Sequence, residues 1–169
     1  YLAGTHARDK DAVVGSMLIC EMAAYYKAQG KTLLEVMNDI YSEYGYYCNT
    51  VKSYEFDGAA GMKKMQQIMD DLRKDQPKDL AGAKIIYTPD YESCTQKDLA
   101  AGTESKTELP KSNVLAYKAE GGSGLIVRPS GTEPKIKAYI TAIGASKADA
   151  HAKAEQLIAE ANAIMNTEA

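Results

Sequence analysis

Apolar and polar positions along the chain alternate in two different periods, and the period changes several times. Residues 12–29 are rich in Ala, Met, Val and Tyr with few breaks. They predict a mostly buried helix that Gly30 stops. Thr32-Leu33-Leu34-Glu35 has the capping-box pattern. Leu33, Val36, Met37, Ile40, Tyr41 and Tyr44 then recur at helical spacing up to Gly45. Lys52 to Phe56 predicts a strand, and Asp57-Gly58 a turn. Residues 60–74 predict an amphipathic helix with Met62, Met65, Ile68, Met69 and Leu72 inward. Lys84 to Thr88 reads as a strand bounded by Pro89. Residues 89–112 are polar throughout and read as a long loop. Asn113–Lys118, Gly124–Arg128 and Lys135–Ile143 read as strands, the last with Ile136, Ala138, Ile140 and Ala142 on one face. A final helix opens at Ser146-Lys147-Ala148-Asp149 and buries Ala150, Ala154, Leu157, Ile158, Ala161, Ile164 and Met165.

From residue 50 the predicted order is strand, helix, strand, strand, strand, strand, helix. Short connections imply antiparallel pairing. The expected fold class is therefore α+β: a four- to five-stranded, mainly antiparallel sheet with two helices on one face. The crossing between domains is expected at Tyr46 to Thr50, giving a helical unit over 1–48 and a sheet-bearing domain over 49–169.

Composition narrows the function classes only a little. The chain has 169 residues, 45% hydrophobic and 25% charged, with a formal net charge of −3. That balance disfavours a nucleic-acid surface. No apolar run is long enough for a membrane span, and no signal-peptide pattern opens the chain. Cys20, Cys48 and Cys94 are odd in number and widely spaced. They fit reduced cytosolic thiols better than disulfides or a metal site, so the expected localisation is cytoplasmic.

The most specific chemistry lies between the last two strands, in Arg128-Pro129-Ser130-Gly131-Thr132-Glu133-Pro134. Arg128 offers a rigid fork of donors matched to phosphate oxygens. Ser130 and Thr132 add hydroxyl donors. Gly131 permits a left-handed backbone and lets an N–H approach a ligand with no Cβ in the way. The two prolines stiffen the ends. The same residues also suit an ordinary hairpin turn. Lys137, two residues into the following strand, could add positive potential or simply be solvated.

The contiguous string R-P-S-G-T-E-P-K resembles the phosphate-binding loop in the last domain of the α-D-phosphohexomutases, the phosphoglucomutase and phosphomannomutase family. T-H-A-R-D-K-D-A at residues 5–12 is similar to a segment of that family's third domain that places basic groups in the active-site cleft. The resemblance implies a catalytic role for Lys10, with His6 and Arg8 as accessory groups; Asp9 and Asp11 otherwise suit a helix N-terminus. It implies phosphate contacts from Arg128, Ser130, Gly131 and Thr132. It makes residues 1–48 the helical remnant of a third α/β domain whose sheet lies upstream, so that this pair of helices exposes apolar surface. It also implies that the chain, which opens at Tyr1 inside a working segment, is the C-terminal piece of a longer protein.

The family's serine segment (S-H-N-P-like) and magnesium loop (D-x-D-x-D-R-like) are absent from the 169 residues. The resemblance implies interconversion of hexose 1- and 6-phosphates through a phosphoserine and a bisphosphate such as glucose 1,6-bisphosphate, with glucose the first choice of sugar, mannose the next and a pentose also conceivable. Mg²⁺ would serve the full-length enzyme, with no metal site in this chain. The expected partners are a phosphosugar and the missing N-terminal domains, with no nucleic acid and no membrane. H-A-R-D-K-D and E-M-A-A-Y-Y-K-A-Q-G-K-T-L look most like the bacterial phosphoglucomutase branch. The rivals are a stand-alone anion-binding or regulatory module and an interaction module.

Overall fold

A computed structural model describes residues 3–7 and 10–165, with the side chain of residue 59 left out. The chain divides into two compact units, one ending at Gly45 and the other beginning at Tyr46. The first contains helices α1 (Ala12–Ala28) and α2 (Leu33–Tyr44). Asp11 caps α1, its Oδ1 accepting the N–H groups of Val13 and Val14 at 3.0 and 3.1 Å. Thr32 and Glu35 form the full capping box on α2. Contrary to the expectation of a buried helix, no residue of α1 is buried; Val13 and Met17 are 71% and 67% exposed. In α2 only Val36 is buried. Periodicity marks which residues seek cover, but nothing in this unit supplies it.

The second unit is α+β. Its strands are β1 (Tyr46–Glu55), β2 (Asp79–Leu80), β3 (Ala83–Asp90), β4 (Thr95–Asp98), β5 (Thr103–Lys106), β6 (Leu115–Ala119), β7 (Gly124–Pro129) and β8 (Lys135–Gly144). Its helices are α3 (Gly58–Lys74) and α4 (Lys147–Met165). The sheet runs β1-β8-β7-β6-β3-β4-β5, with β2 paired to β3, and every pairing is antiparallel. It has eight strands among the described residues, not four or five.

The surplus comes from stretches with no apolar alternation. β4 and β5 lie inside 89–112, expected to be a loop, and form a polar hairpin on the edge of β3. An edge supplies backbone partners whatever the side chains are. β5 is exposed throughout and carries Glu104 and Lys106, charges that discourage further pairing. β2 turns into β3 through Ala81 and Gly82, both at positive φ (48° and 75°), which is the geometry of a two-residue hairpin. β3 runs through Pro89 instead of stopping there. β1 begins at Tyr46, six residues before the expected Lys52, because its whole length pairs with β8.

One apolar cluster fills the space between the sheet and both helices. Leu115 and Tyr117 of β6, Leu125 and Val127 of β7, and Ile136, Ala138, Ile140 and Ala142 of β8 supply the sheet side. Met65, Ile68, Met69 and Leu72 of α3 and Ala154, Leu157, Ala161 and Met165 of α4 supply the other. The perfect alternation in β8 places Lys135, Lys137 and Tyr139 on the opposite, open face. Met62, expected in the core, is 46% exposed: it stands one turn too early on α3 to reach the sheet.

Candidate phosphate site

The hairpin from β7 to β8 puts the loop 130–134 at one end of two strands that supply core residues. Arg128 pairs with Lys137 across the ladder and Pro129 with Ile136. The loop is then closed by its own hydrogen bonds. The Ser130 N–H donates to the Lys135 carbonyl at 2.8 Å, and the Lys135 N–H to the Glu133 carbonyl at 2.7 Å. Ser130 Oγ accepts the N–H groups of Thr132 and Glu133 at 3.4 and 3.3 Å. The Pro134 carbonyl accepts the Phe56 N–H at 2.8 Å, tying the loop to the end of β1.

This closure decides which donors remain. The amides of Thr132 and Glu133 are spent on Ser130. The Gly131 N–H has no acceptor among the described residues. The Ser130 hydroxyl, accepting through its oxygen, keeps its proton to give. Gly131 does not use the left-handed backbone expected of it. A Cβ there would meet nothing within 4 Å, so the residue opens the surface and relieves no strain.

A cleft of about 350 Å³ lies over the loop and the adjoining open face of β8. Arg128, Ser130, Gly131, Thr132 and Lys137 all line it, so the structure brings these five predicted residues together. Glu133, Lys135 and Tyr139 line it too and were not foreseen as site residues. The signal for Lys135 and Tyr139 was the alternation of β8, which sets 135, 137 and 139 on one face, while Glu133 stands in the loop itself. Arg128 and Lys137 have no salt-bridge partner among the described residues. Glu133 and Lys135 pair at 2.5 Å. That hydrogen bond holds the Glu133 carboxyl below its ordinary range and the Lys135 ammonium above its own. The cleft therefore presents two uncommitted cations beside one compensated carboxylate. A second cavity of similar volume, lined by Met62, Gln66, Ser112 and Asn113, reaches Arg128–Gly131 from the α3 side.

The predicted residues near the chain start belong to the other unit. His6 Nε2 lies 3.0 Å from Asp11 Oδ2, so its ring is engaged by the residue that caps α1. Lys10 is exposed just before that cap. Arg8 and Asp9 lie outside the described residues. Among the described residues no group of three or more His, Cys, Asp or Glu could hold a metal ion. None of their helices is long and apolar enough to cross a membrane.

An antiparallel α+β domain with a cationic, hydroxyl-lined hairpin loop is the class of protein that fold and site define. A family model described as phosphoglucomutase/phosphomannomutase, C-terminal domain, matches residues 59–161, and the chain belongs to that family. It is 37% identical over 141 residues to a phosphoglucomutase of Staphylococcus haemolyticus, covering 83% of this chain and 26% of that protein. It is 38% identical over 141 residues to a phosphoglucomutase of Staphylococcus aureus strain MSSA476, covering 83% and 25%. The chain thus spans about a quarter of the length of these relatives. Among solved structures it resembles the open form of the Paramecium exocytosis-sensitive phosphoprotein pp63/parafusin, a phosphoglucomutase. That likeness has a TM-score of 0.58 at 19% identity, over 95% of this chain and 28% of the other, and speaks for the fold alone.

Proposed function

We propose that this chain is the C-terminal part of a phosphohexomutase that interconverts glucose 1-phosphate and glucose 6-phosphate, and that the loop at 128–132 holds the phosphate that is not being transferred. In such a reaction a phosphoserine gives its phosphoryl group to the sugar. A bisphosphate intermediate turns round, and the serine recovers a phosphate. While one sugar phosphate reacts, the other must be gripped in a fixed place, and in the same way in either orientation.

The observation that carries this reading is a loop closed by its own backbone beside two unpaired cations, Arg128 and Lys137. Such a loop is ordered before the ligand arrives, so less ordering entropy opposes binding. Arg128 would give bidentate hydrogen bonds to the phosphate oxygens, with Ser130, Gly131 and Thr132 supplying single donors. Residues 46–169 would be the phosphate-binding domain. Residues before them would be the helical end of the preceding domain, with Lys10 acting on a sugar hydroxyl, and His6 and Arg8 as accessory groups. Mg²⁺ would assist phosphoryl transfer in the longer protein. The described residues offer it no ligand set, and no step here passes through it.

The test is an amide NMR titration of the chain with inorganic phosphate and with glucose 6-phosphate. Ser130, Gly131 and Thr132 should move first, with a dissociation constant near or above about 1 mM. Movement elsewhere, with these three still, would show the assignment to be wrong. The chain alone should not turn over glucose 1-phosphate; measurable turnover would contradict the reading. The rival of a stand-alone anion-binding module predicts the same titration and is separated from it only by activity of the longer protein.

A further inference from the structure

The Glu133–Lys135 ion pair stands at the rim of the phosphate cleft, and the reading above assigns it no task. Lys135 opens β8, where it faces Glu55 of β1 across the ladder. It borders two cavities at once. One is the phosphate cleft; the other, of about 230 Å³, is shared with Glu55, Phe56 and Asp57. Its ammonium is held by Glu133 and lies in the field of Glu55 as well.

The pair is arranged to come apart. The Glu133 side chain is 59% exposed and that of Lys135 only 25%, so water screens the carboxylate while the lysine stem is largely covered. Exposed pairs of this kind contribute little net free energy. The lysine head is a point charge on a flexible stem with rotatable donors. Turning it from one rim of the cleft to a ligand inside requires side-chain rotation only. A bound phosphate monoester carries about −1.5 to −2 charges at neutral pH, more than one carboxylate. Arg128 and Lys137 would hold it in the same cleft.

We propose that Lys135 is a further phosphate contact, latched to Glu133 when the cleft is empty and handed to the phosphate on binding. Glu133 then acts as a built-in competitor that lowers affinity, so that the grip can be released once the phosphate has to leave. The inference rests on the phosphate reading of the loop, and it gives separate tasks to two residues that composition alone would read as a solvated pair.

The experiment measures inorganic phosphate affinity by amide NMR on the full 169-residue chain at about 0.15 M salt, where interactions beyond roughly 8 Å are screened. Glu133→Gln should bind phosphate about threefold tighter than the unmodified chain. Glu133→Gln combined with Lys135→Met should bind about tenfold weaker than Glu133→Gln alone, and weaker than the unmodified chain. Lys135→Arg in the Glu133→Gln background should recover most of that loss. If the double variant binds within about twofold of Glu133→Gln, Lys135 serves only to neutralise Glu133 and the proposal is overturned. If phosphate shifts none of the 130–132 amides in the unmodified chain, the loop reading itself falls and takes this inference with it. Every variant is a change at the surface rim, and the dispersion of the amide spectrum reports whether each is folded.

Discussion

Glu160 shows how one side chain can serve a turn at some cost to itself. It lies half-buried on α4, and its carboxylate accepts the Ala81 N–H at 2.9 and 3.1 Å. That bond steadies the hairpin between β2 and β3, where Ala81 holds a left-handed φ of 48° that a non-glycine residue adopts only against strain. Burial pushes the Glu160 carboxyl above its ordinary value, opposed by the Ala81 hydrogen bond and assisted by the charge of Asp79. A carboxyl whose value is raised in the folded state favours folding most when protonated. Its contribution is full below the unfolded value and is lost as pH rises through the folded one. Glu160→Gln keeps an acceptor for Ala81 and removes the buried charge. Its melting temperature at pH 7 should equal or exceed that of the unmodified chain, with the gap narrowing below about pH 4.5. A lower melting temperature at pH 7 would mean that the charged hydrogen bond outweighs the burial.

Gly131 and Gly144 illustrate two different reasons for the same residue. At 131 the space beyond the backbone is open, which suits a ligand. At 144 the space is already taken.

Among the elements, α4 depends on the closeness of its approach to β8. Ala150 and Ala154 are buried with no more than a methyl group between helix and sheet. The helix begins immediately after β8, where the Asp149 N–H donates to Ser146 Oγ and the Asp149 carboxylate accepts from Ala145 and Lys153. A Cβ on Gly144 would stand 2.3 Å from Ala150 N and 2.8 Å from its Cα, both backbone atoms that cannot rotate aside. Gly144→Ala should therefore destabilise the chain by about 2–3 kcal/mol, as overpacking does, visible as a lower urea midpoint with an unchanged slope. A shift under about 0.5 kcal/mol would mean that the first turn of α4 moves freely.

On the same face of the sheet α3 is fastened through charge. Arg73 donates to Asp90 at 3.2 Å, to Asn113 at 2.6 Å and to Glu92 at 2.7 Å, clipping the segments that lead out of β3 and into β6. Its Nη1 has no hydrogen-bond partner and lies 3.8 Å from Asp70, a contact too long to count as one. This clip places Asn113 beside the second cavity behind the phosphate loop.

At the scale of the molecule, the two units are unequally built. The apolar core between sheet and helices lies wholly in the part beginning at Tyr46. Val13, Met17 and Tyr25 of α1 and Leu34 and Tyr44 of α2 are all more than half exposed. Large apolar side chains exposed in such number make a surface suited to cover by other protein. Relatives about four times as long have ample chain to cover it. It follows that residues 46–169 expressed alone should fold and unfold in one cooperative transition, because the apolar core lies within them. A broad, non-cooperative transition for residues 46–169 would show that this core does not suffice.

Local order was determined by the sequence alone. The capping box at Thr32 and Glu35, the alternation along β8, the small-residue stripe of α4 and the stiff R-P-S-G-T-E-P loop all depend on neighbours within a few residues. Tertiary structure decided the rest. The polar hairpin β4–β5 has no period of its own and exists because β3 offers an unpaired edge. Met62 left the core, and α1 remained uncovered, because burial depends on what stands opposite and not on the helix that seeks it. The alternation of β8 set Lys135 on the open face, but its pairing with Glu133 at the rim of the cleft was decided by the folded hairpin. Periodicity is a property of one segment; a partner is a property of two, and only the folded chain brings the second into place.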